Sequence, residues 1–304
     1  MAEPPVLIRQ DEVEGLLHYK DLIPRLEVAL GKFSKLDSAE VIQPVRTTVP
    51  LQKYNGFLGL MPAYLVHEDI LCTKLVCFYK RESGSTLPST QATVLLFDPE
   101  YGNVKAVSMP MIIEQWPLDL LMPAKSEVLT ILGAGHQALS HYNVFTETFS
   151  FKEVRVWSRR KETAERFAQS TQGHVTVWES VEEAVNGADV IVTVTGASEP
   201  VLFGQWVKPG AHVAAVGACR PDWRELDDVL MRQAKVYVDS REGAVAESGD
   251  IILSGAKVFA ELGEVLNGTR PALREKTTVF KSLGMGIQDA VSAKLVFEQW
   301  KNKH

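Results

Sequence analysis

Gly133, Gly135, Ser158, Arg159 and Arg160 have the types and spacing to hold phosphate groups. Arg46 and Lys74 have the types to hold a carboxylate. Gly133-Ala-Gly135 follows the apolar run Val128 to Leu132, which predicts a strand, and precedes Gln137 to Phe149, which predicts a helix. A glycine turn at that junction lets backbone approach a diphosphate, and the next helix offers its unpaired N–H groups. Ala138 stands where such turns usually carry a third glycine, and is small enough for close helix–strand packing. A plain turn in a ligand-free α/β sheet would use the same glycines. Ser158-Arg-Arg-Lys161 ends the second predicted strand, where an acidic residue normally holds a ribose 2′-hydroxyl. A hydroxyl and two guanidiniums there suit a 2′-phosphate, hence NADP(H) over NAD(H). A solvated basic helix start has the same composition. Arg46 and Lys74 lie on otherwise apolar stretches. Each is either paired in a core or, with the other, holds a small carboxylate, Arg by its fork and Lys as a mobile charge or proton donor.

Two kinds of patterning must position these groups. From Pro123 onward strands and helices alternate. Strands are predicted over 153–157, 175–177, 189–195, 212–216, 235–238 and 277–281. Helices are predicted over 161–170, from Ser180, from Asp222, over 243–247, 258–266 and 288–300. This is the signature of a parallel sheet with helices on both faces, whose ligands sit beyond the C-terminal ends of the strands. Thr195 and Gly196-Ala-Ser198 fall at such an end. Gly284-Met-Gly286 does too, and either approaches a nicotinamide ring or merely turns the chain. The first half differs: helical sequence from Asp11 to Phe33, then strands over 45–49, 57–63, 71–78, 93–97 and 103–107 with hairpin signals. Pro24 is expected to interrupt or start a helix. Met109 to Met122 is apolar but broken by Pro110 and Pro117, and reads as an interdomain connection.

Composition removes several classes. A net charge of −6 and no interleaving of aromatic and basic residues argue against a nucleic-acid surface. Three cysteines are too few for a disulfide framework and fit a reducing compartment. No signal-peptide h-region and no long apolar run are present, so neither secretion nor membrane insertion is expected. The seven histidines show no metal-ligand spacing, and no GxSxG elbow occurs. Cys219 has no sequence-adjacent base and is expected to line a pocket.

Several longer stretches are specific: Gln43-Pro-Val-Arg-Thr47, Met61-Pro-Ala63, Thr73-Lys-Leu75, Ser89-Thr-Gln-Ala92, Gly133-Ala-Gly135, Phe149-Ser-Phe-Lys-Glu153, Arg220-Pro-Asp-Trp-Arg-Glu-Leu226 and Phe280-Lys-Ser-Leu-Gly284. By these the chain resembles the ornithine cyclodeaminase/mu-crystallin family over nearly its whole length, and within it the ketimine-reducing, thyroid-hormone-binding branch. The resemblance implies an α/β protein with a Rossmann-type NADP-binding domain over 123–282. A discontinuous α/β substrate-binding and dimerisation domain would comprise 1–122, with a C-terminal helix, 283–304, returning to it. It implies a cytoplasmic homodimer that reduces cyclic ketimine carboxylates with NADPH and also binds thyroid hormone (triiodothyronine). Carried over by position, Arg46 and Lys74 face the substrate, and Phe78 and Cys219 line its pocket. Gly133, Gly135, His136 and Gln137 border the diphosphate, and Ser158, Arg159 and Arg160 take the 2′-phosphate. Thr195 and Leu283 complete the cofactor site. A non-enzymatic hormone-binding or lens structural role is the alternative the same resemblance carries.

Two departures accompany the resemblance. Cys219 replaces the aspartate of ornithine cyclodeaminases, so deamination of ornithine is not expected. The family's Arg-Thr-Ala-Ala helix, whose arginine contacts the substrate carboxylate, has no counterpart between Lys105 and Lys125. Residues 109–121 stand in its place, and the expectation is weakened substrate anchoring and activity with dinucleotide binding retained.

Overall fold

A computed structural model describes residues 4–35, 39–81, 85, 87–108 and 120–304. The chain divides into two compact units. One is Met1–Ile113 with Gly284–His304; the other is Glu114–Leu283.

The first unit is a mostly antiparallel sheet backed by helices. Its strands are β1 (Val6–Ile8), β2 (Val41–Ile42), β3 (Thr47–Leu51), β4 (Gly56–Leu65), β5 (Ile70–Tyr79), β6 (Thr90–Phe97) and β7 (Val104–Ser108). They run in the order β1-β7-β6-β5-β4-β2, with β3 also paired to β4. β4, β5 and β6 form the long centre, with Met61 opposite Lys74 and Lys74 opposite Val94. Two helices, α1 (Gln10–Leu16) and α2 (Tyr19–Phe33), lie between β1 and β2. The predicted break at Pro24 is displaced: Pro24 lies inside α2, and the chain leaves helical geometry at Leu17 instead. The C-terminal helix, Gly286–Lys303, packs on β4, β5, β6 and α2. A Cβ on Gly286 would come within 2.9 Å of the Met61 carbonyl oxygen, so only glycine lets the helix start this close to β4.

The second unit is an eight-stranded, all-parallel sheet. Its strands are β8 (Val128–Leu132), β9 (Glu153–Trp157), β10 (Val175–Trp178), β11 (Val190–Thr193), β12 (His212–Ala215), β13 (Lys235–Val238), β14 (Val258–Glu261) and β15 (Thr278–Lys281), in the order β10-β9-β8-β11-β12-β15-β13-β14. Near-continuous apolar strands such as Val190-Ile-Val fit a sheet covered on both faces. The order reverses between β8 and β11, which is where such sheets bind ligands. The helices are α3 (His136–Thr148), α4 (Lys161–Ser170), α5 (Val181–Val185), α6 (Asp228–Gln233), α7 (Arg241–Glu247), α8 (Gly249–Ser254) and α9 (Leu262–Leu266).

Two expectations change here. Val258 to Phe259 and on to Glu261 is strand, not helix, because it pairs with the edge of β13; only Leu262–Leu266 is helical. Asp222 to Asp227 is not helical either: Leu226 bridges Leu202, and Asp227 instead caps α6, accepting the Leu230 N–H at 2.9 Å.

Candidate functional site

The dinucleotide unit collects the expected residues at the C-terminal edge of its sheet. Gly133 follows β8 with φ +125°, and an added Cβ would lie 2.7 Å from the Val194 carbonyl oxygen. The turn therefore tolerates no side chain at Gly133. At Gly135, by contrast, an added Cβ meets nothing within 4 Å, so space lies open above the turn. Gly135 is the N-cap of α3 and offers no side-chain cap to the helix N–H groups; exposed His136 and half-buried Gln137 open the helix. A helix start with no side-chain cap, beside an open space, suits a diphosphate. The Gly133 N–H donates to the Trp157 carbonyl at 2.8 Å, tying the turn to the end of β9. Ser158 follows Trp157 directly. Arg159 and Arg160 are exposed, and neither makes an ion pair among the described residues. The residues present fit a dinucleotide.

Behind this edge lies a charge cluster that sequence reasoning did not assign. Glu225 is fully buried and accepts four hydrogen bonds. Two come from Thr195, N–H at 2.5 Å and Oγ1–H at 2.7 Å, one from Thr193 Oγ1 at 2.9 Å and one from Gly217 N–H at 2.7 Å. It thereby clamps the loops after β11 and β12. Asp250 Oδ1 accepts the Glu225 and Leu226 N–H groups, and Lys281 Nζ lies 3.5 Å from Asp250 Oδ2. Gly249 lets Asp250 reach this place: a Cβ there would fall 1.8 Å from the Trp223 carbonyl oxygen. Burial pushes the Glu225 carboxyl up, and the Lys281 charge pulls it back. Leu283 is buried and its N–H donates to Asp239 Oδ2 at 2.7 Å. Cys219 is half-buried on the loop after β12.

In the other unit, Lys74 projects from β5 onto the face covered by the C-terminal helix and lies 2.8 Å from Asp289 Oδ2. Arg46 sits just before β3, not on it, since the strand begins at Thr47; one Nη donates to the Gly284 carbonyl at 3.4 Å. Gln43 Oε1 accepts the Ile287 N–H at 2.8 Å and so anchors the Arg46 loop to the helix start. Phe78 lies four residues beyond Lys74 on the same strand face and stacks on Phe57 with centroids 5.7 Å apart. Burial pushes the Asp289 carboxyl up, while Lys74 and then Arg46 pull it down, which places both cations in its field. Asp289 was missed because nothing local marks it: its partner is 215 positions away in the chain.

Residues 109–119, and with them most of the segment that departs from the expected motif, lie outside the described residues. Among the described residues no cluster suits a metal ion, and no helix is long and apolar enough to cross a membrane. His141 and His212 are core residues: burial pushes both imidazoles down to about 3.

The model of the ornithine cyclodeaminase/mu-crystallin family matches residues 3–304. The ketimine reductase mu-crystallin of Rattus norvegicus is 58% identical over 311 positions, covering 99% of each chain. The Delta(1)-pyrroline-2-carboxylate reductase of Paracoccus denitrificans is 30% identical, covering 95% of this chain and 98% of its own. Among solved structures, the Thermococcus litoralis Delta(1)-pyrroline-2-carboxylate reductase in complex with NADH and L-proline superposes with a TM-score of 0.92 at 31% identity, over 98% of both chains. An archaeal alanine dehydrogenase dimer with bound NAD gives 0.87 at 28% identity, over 98% of this chain and 97% of its own.

Proposed function

The chain belongs to the ornithine cyclodeaminase/mu-crystallin family, and on that premise we propose that it is an NADPH-dependent ketimine reductase. Its substrates are cyclic ketimine carboxylates, piperideine-2-carboxylate and pyrroline-2-carboxylate, and its products the saturated cyclic imino acids. The observation that carries this reading is the convergence of Lys74 and Arg46 on one buried site at Asp289, two cations of the kind that hold a small carboxylate. The relatives' names, ketimine reductase and pyrroline-2-carboxylate reductase, support it.

When bound, NADPH supplies the hydride that the imine carbon takes up. Arg46 fixes the substrate carboxylate by its fork, and Lys74 adds positive potential beside the imine or delivers the proton its nitrogen gains. Gly133, Gly135 and the start of α3 hold the diphosphate, and Glu225 keeps Thr195 in place. The relatives of known structure are described with NADH and NAD. Ser158, Arg159 and Arg160 are our reason for preferring NADPH here.

Triiodothyronine, a carboxylate on a large aromatic body, is the second ligand we propose. The stacked Phe57 and Phe78 beside the Lys74 face favour it. We take the protein to be cytoplasmic and the assembly to be a homodimer, as the archaeal relative is described; exposed Val49 on β3 suits a covered face. The deciding experiment is steady-state reduction of piperideine-2-carboxylate by the full chain with NADPH and with NADH. Turnover favouring NADPH is expected. No turnover with either cofactor, alongside NADPH-dependent triiodothyronine binding, would leave a hormone-binding protein in place of the enzyme.

A further inference from the structure

We propose that Asp289 is a positioning residue for the reaction, acting through Lys74. The inference rests on the ketimine-reductase reading and deepens it by naming what aims the lysine. Lys74 and Asp289 are both nearly sealed from solvent, with side-chain exposures of 9% and 8%, and their charged atoms are 2.8 Å apart. A lysine on a four-carbon stem has many rotamers, and a fixed carboxylate at 2.8 Å selects among them. That carboxylate is itself placed with little freedom. Asp289 lies in the first turn of the C-terminal helix, whose positive end favours its charge. The start of that helix is held against β4 by the Gly286 approach to the Met61 and Pro62 carbonyls. It is held again by the Gln43 hydrogen bond to Ile287, and by the Gln288 side chain, which accepts the Met285 N–H at 2.9 Å.

The charged and titratable groups facing the pair are few. Arg46 approaches from the segment before β3, and the Cys72 thiol lies two residues along β5 on the same face. Burial and the Asp289 charge push that thiol up, so it stays neutral and competes with neither partner. Asp289 thus offsets the repulsion between Arg46 and Lys74 and aims the lysine in one direction. It has this effect without touching substrate itself.

The test compares the full-length wild type with Asp289→Asn, Lys74→Met and the double variant, using NADPH and piperideine-2-carboxylate. For Asp289→Asn, kcat/KM is expected to fall about 100-fold, mostly through the substrate KM. The alkaline limb of its pH profile is expected to move down by about one unit or more, and NADPH affinity should be unchanged. The double variant should be no worse than Lys74→Met alone, because Asp289 acts only through that lysine. Additive losses, or a wild-type alkaline limb in Asp289→Asn, overturn the inference. If Asp289→Asn does not fold, Asp289→Glu replaces it, keeping the charge but moving it by one methylene. A raised substrate KM then supports the inference and an unchanged one sinks it. A wild type that turns over no ketimine sinks the reductase reading and this inference with it; an active wild type with an unaffected variant sinks the inference alone.

Discussion

The two units each bury a charge cluster, and the clusters are built to opposite ends. In the dinucleotide unit, Glu225 and Asp250 outnumber Lys281, and their excess negative charge is taken up by protein donors: Thr193, Thr195 and Gly217 around Glu225, and backbone N–H groups at Asp250. Glu225 thereby ties together the loops that carry Thr195 and Gly217. In the other unit the majority is reversed, with Lys74 and Arg46 both in the field of Asp289. The acidic cluster is a clamp between loops, whereas the basic one sets two cations on the face we propose for a carboxylate.

The largest expected effect comes from removing the cation of the acidic cluster. Lys281→Met leaves Glu225 and Asp250 buried with no cation, and removing one partner of a buried charge set costs about 3–5 kcal/mol. Equilibrium unfolding in urea should show that loss in the Glu114–Leu283 unit, together with weakened NADPH binding as the Thr195 and Gly217 loops loosen. If NADPH binding and stability survive, Glu225 is not a clamp and the contrast between the clusters fails. Lys74→Met should act the other way round. One charge-assisted contact to the substrate carboxylate is worth about 1.5–3 kcal/mol, or about 10–100-fold in kcat/KM. NADPH affinity, measured by fluorescence titration, should stay at the wild-type value.

The same contrast explains what could be read from the chain alone. In the parallel unit, strand, turn and helix are consecutive, so Gly133, Ser158 and Thr195 announce themselves by position after an apolar run. Their placement at one sheet edge follows from topology. Glu225 was not legible, although its motif was, because its side-chain partners lie at the end of β11 and on the loops after β11 and β12. Val258 was misread because the edge of β13, remote in sequence, turns an ambiguous apolar segment into strand. In the antiparallel unit, Arg46 and Lys74 stood out as charges on apolar stretches, but Asp289 belongs to a helix whose sequence gives no sign of which strand it covers. Long-range pairing of charges is the part a one-dimensional pattern does not contain.

Cofactor choice is a smaller effect and sharpens the same division of labour. Arg159→Ala with Arg160→Ala removes two exposed guanidiniums that have no ion-pair partner among the described residues, so the fold loses nothing. The ratio of kcat/KM for NADPH over NADH should drop by about 10–100-fold, at 1.5–3 kcal/mol for a charged hydrogen bond to phosphate. NADH turnover and substrate KM should be untouched. A ratio that does not move would place the 2′-phosphate elsewhere and remove the case for NADPH. Equal losses with NADPH and NADH would show instead a general effect on the dinucleotide cradle.

The two units also separate by their response to acid. His141 and His212 both lie in the dinucleotide unit, fully buried, with imidazoles pushed by burial from 6.5 to about 3. Each folded pKa is below its unfolded value, so the unfolded chain takes up the proton first as pH falls. Stability is therefore whole above about pH 6.5 and is lost between there and about 3, at roughly 1.4 kcal/mol per pH unit for each imidazole. His212 is held at Nδ1 by Thr278 Oγ1 at 2.7 Å, and His141 by the Gln137 carbonyl at 2.7 Å, so neither ring gains a new partner on protonation. Urea midpoints at pH 7 and pH 5 should fall together with loss of NADPH binding. His212→Gln should flatten that fall by about half if it folds, since one of the two buried imidazoles is gone. An acid response unchanged in His212→Gln would assign the loss to carboxylates held below their usual range instead, with Asp189 and its partner Lys208 the first pair to examine.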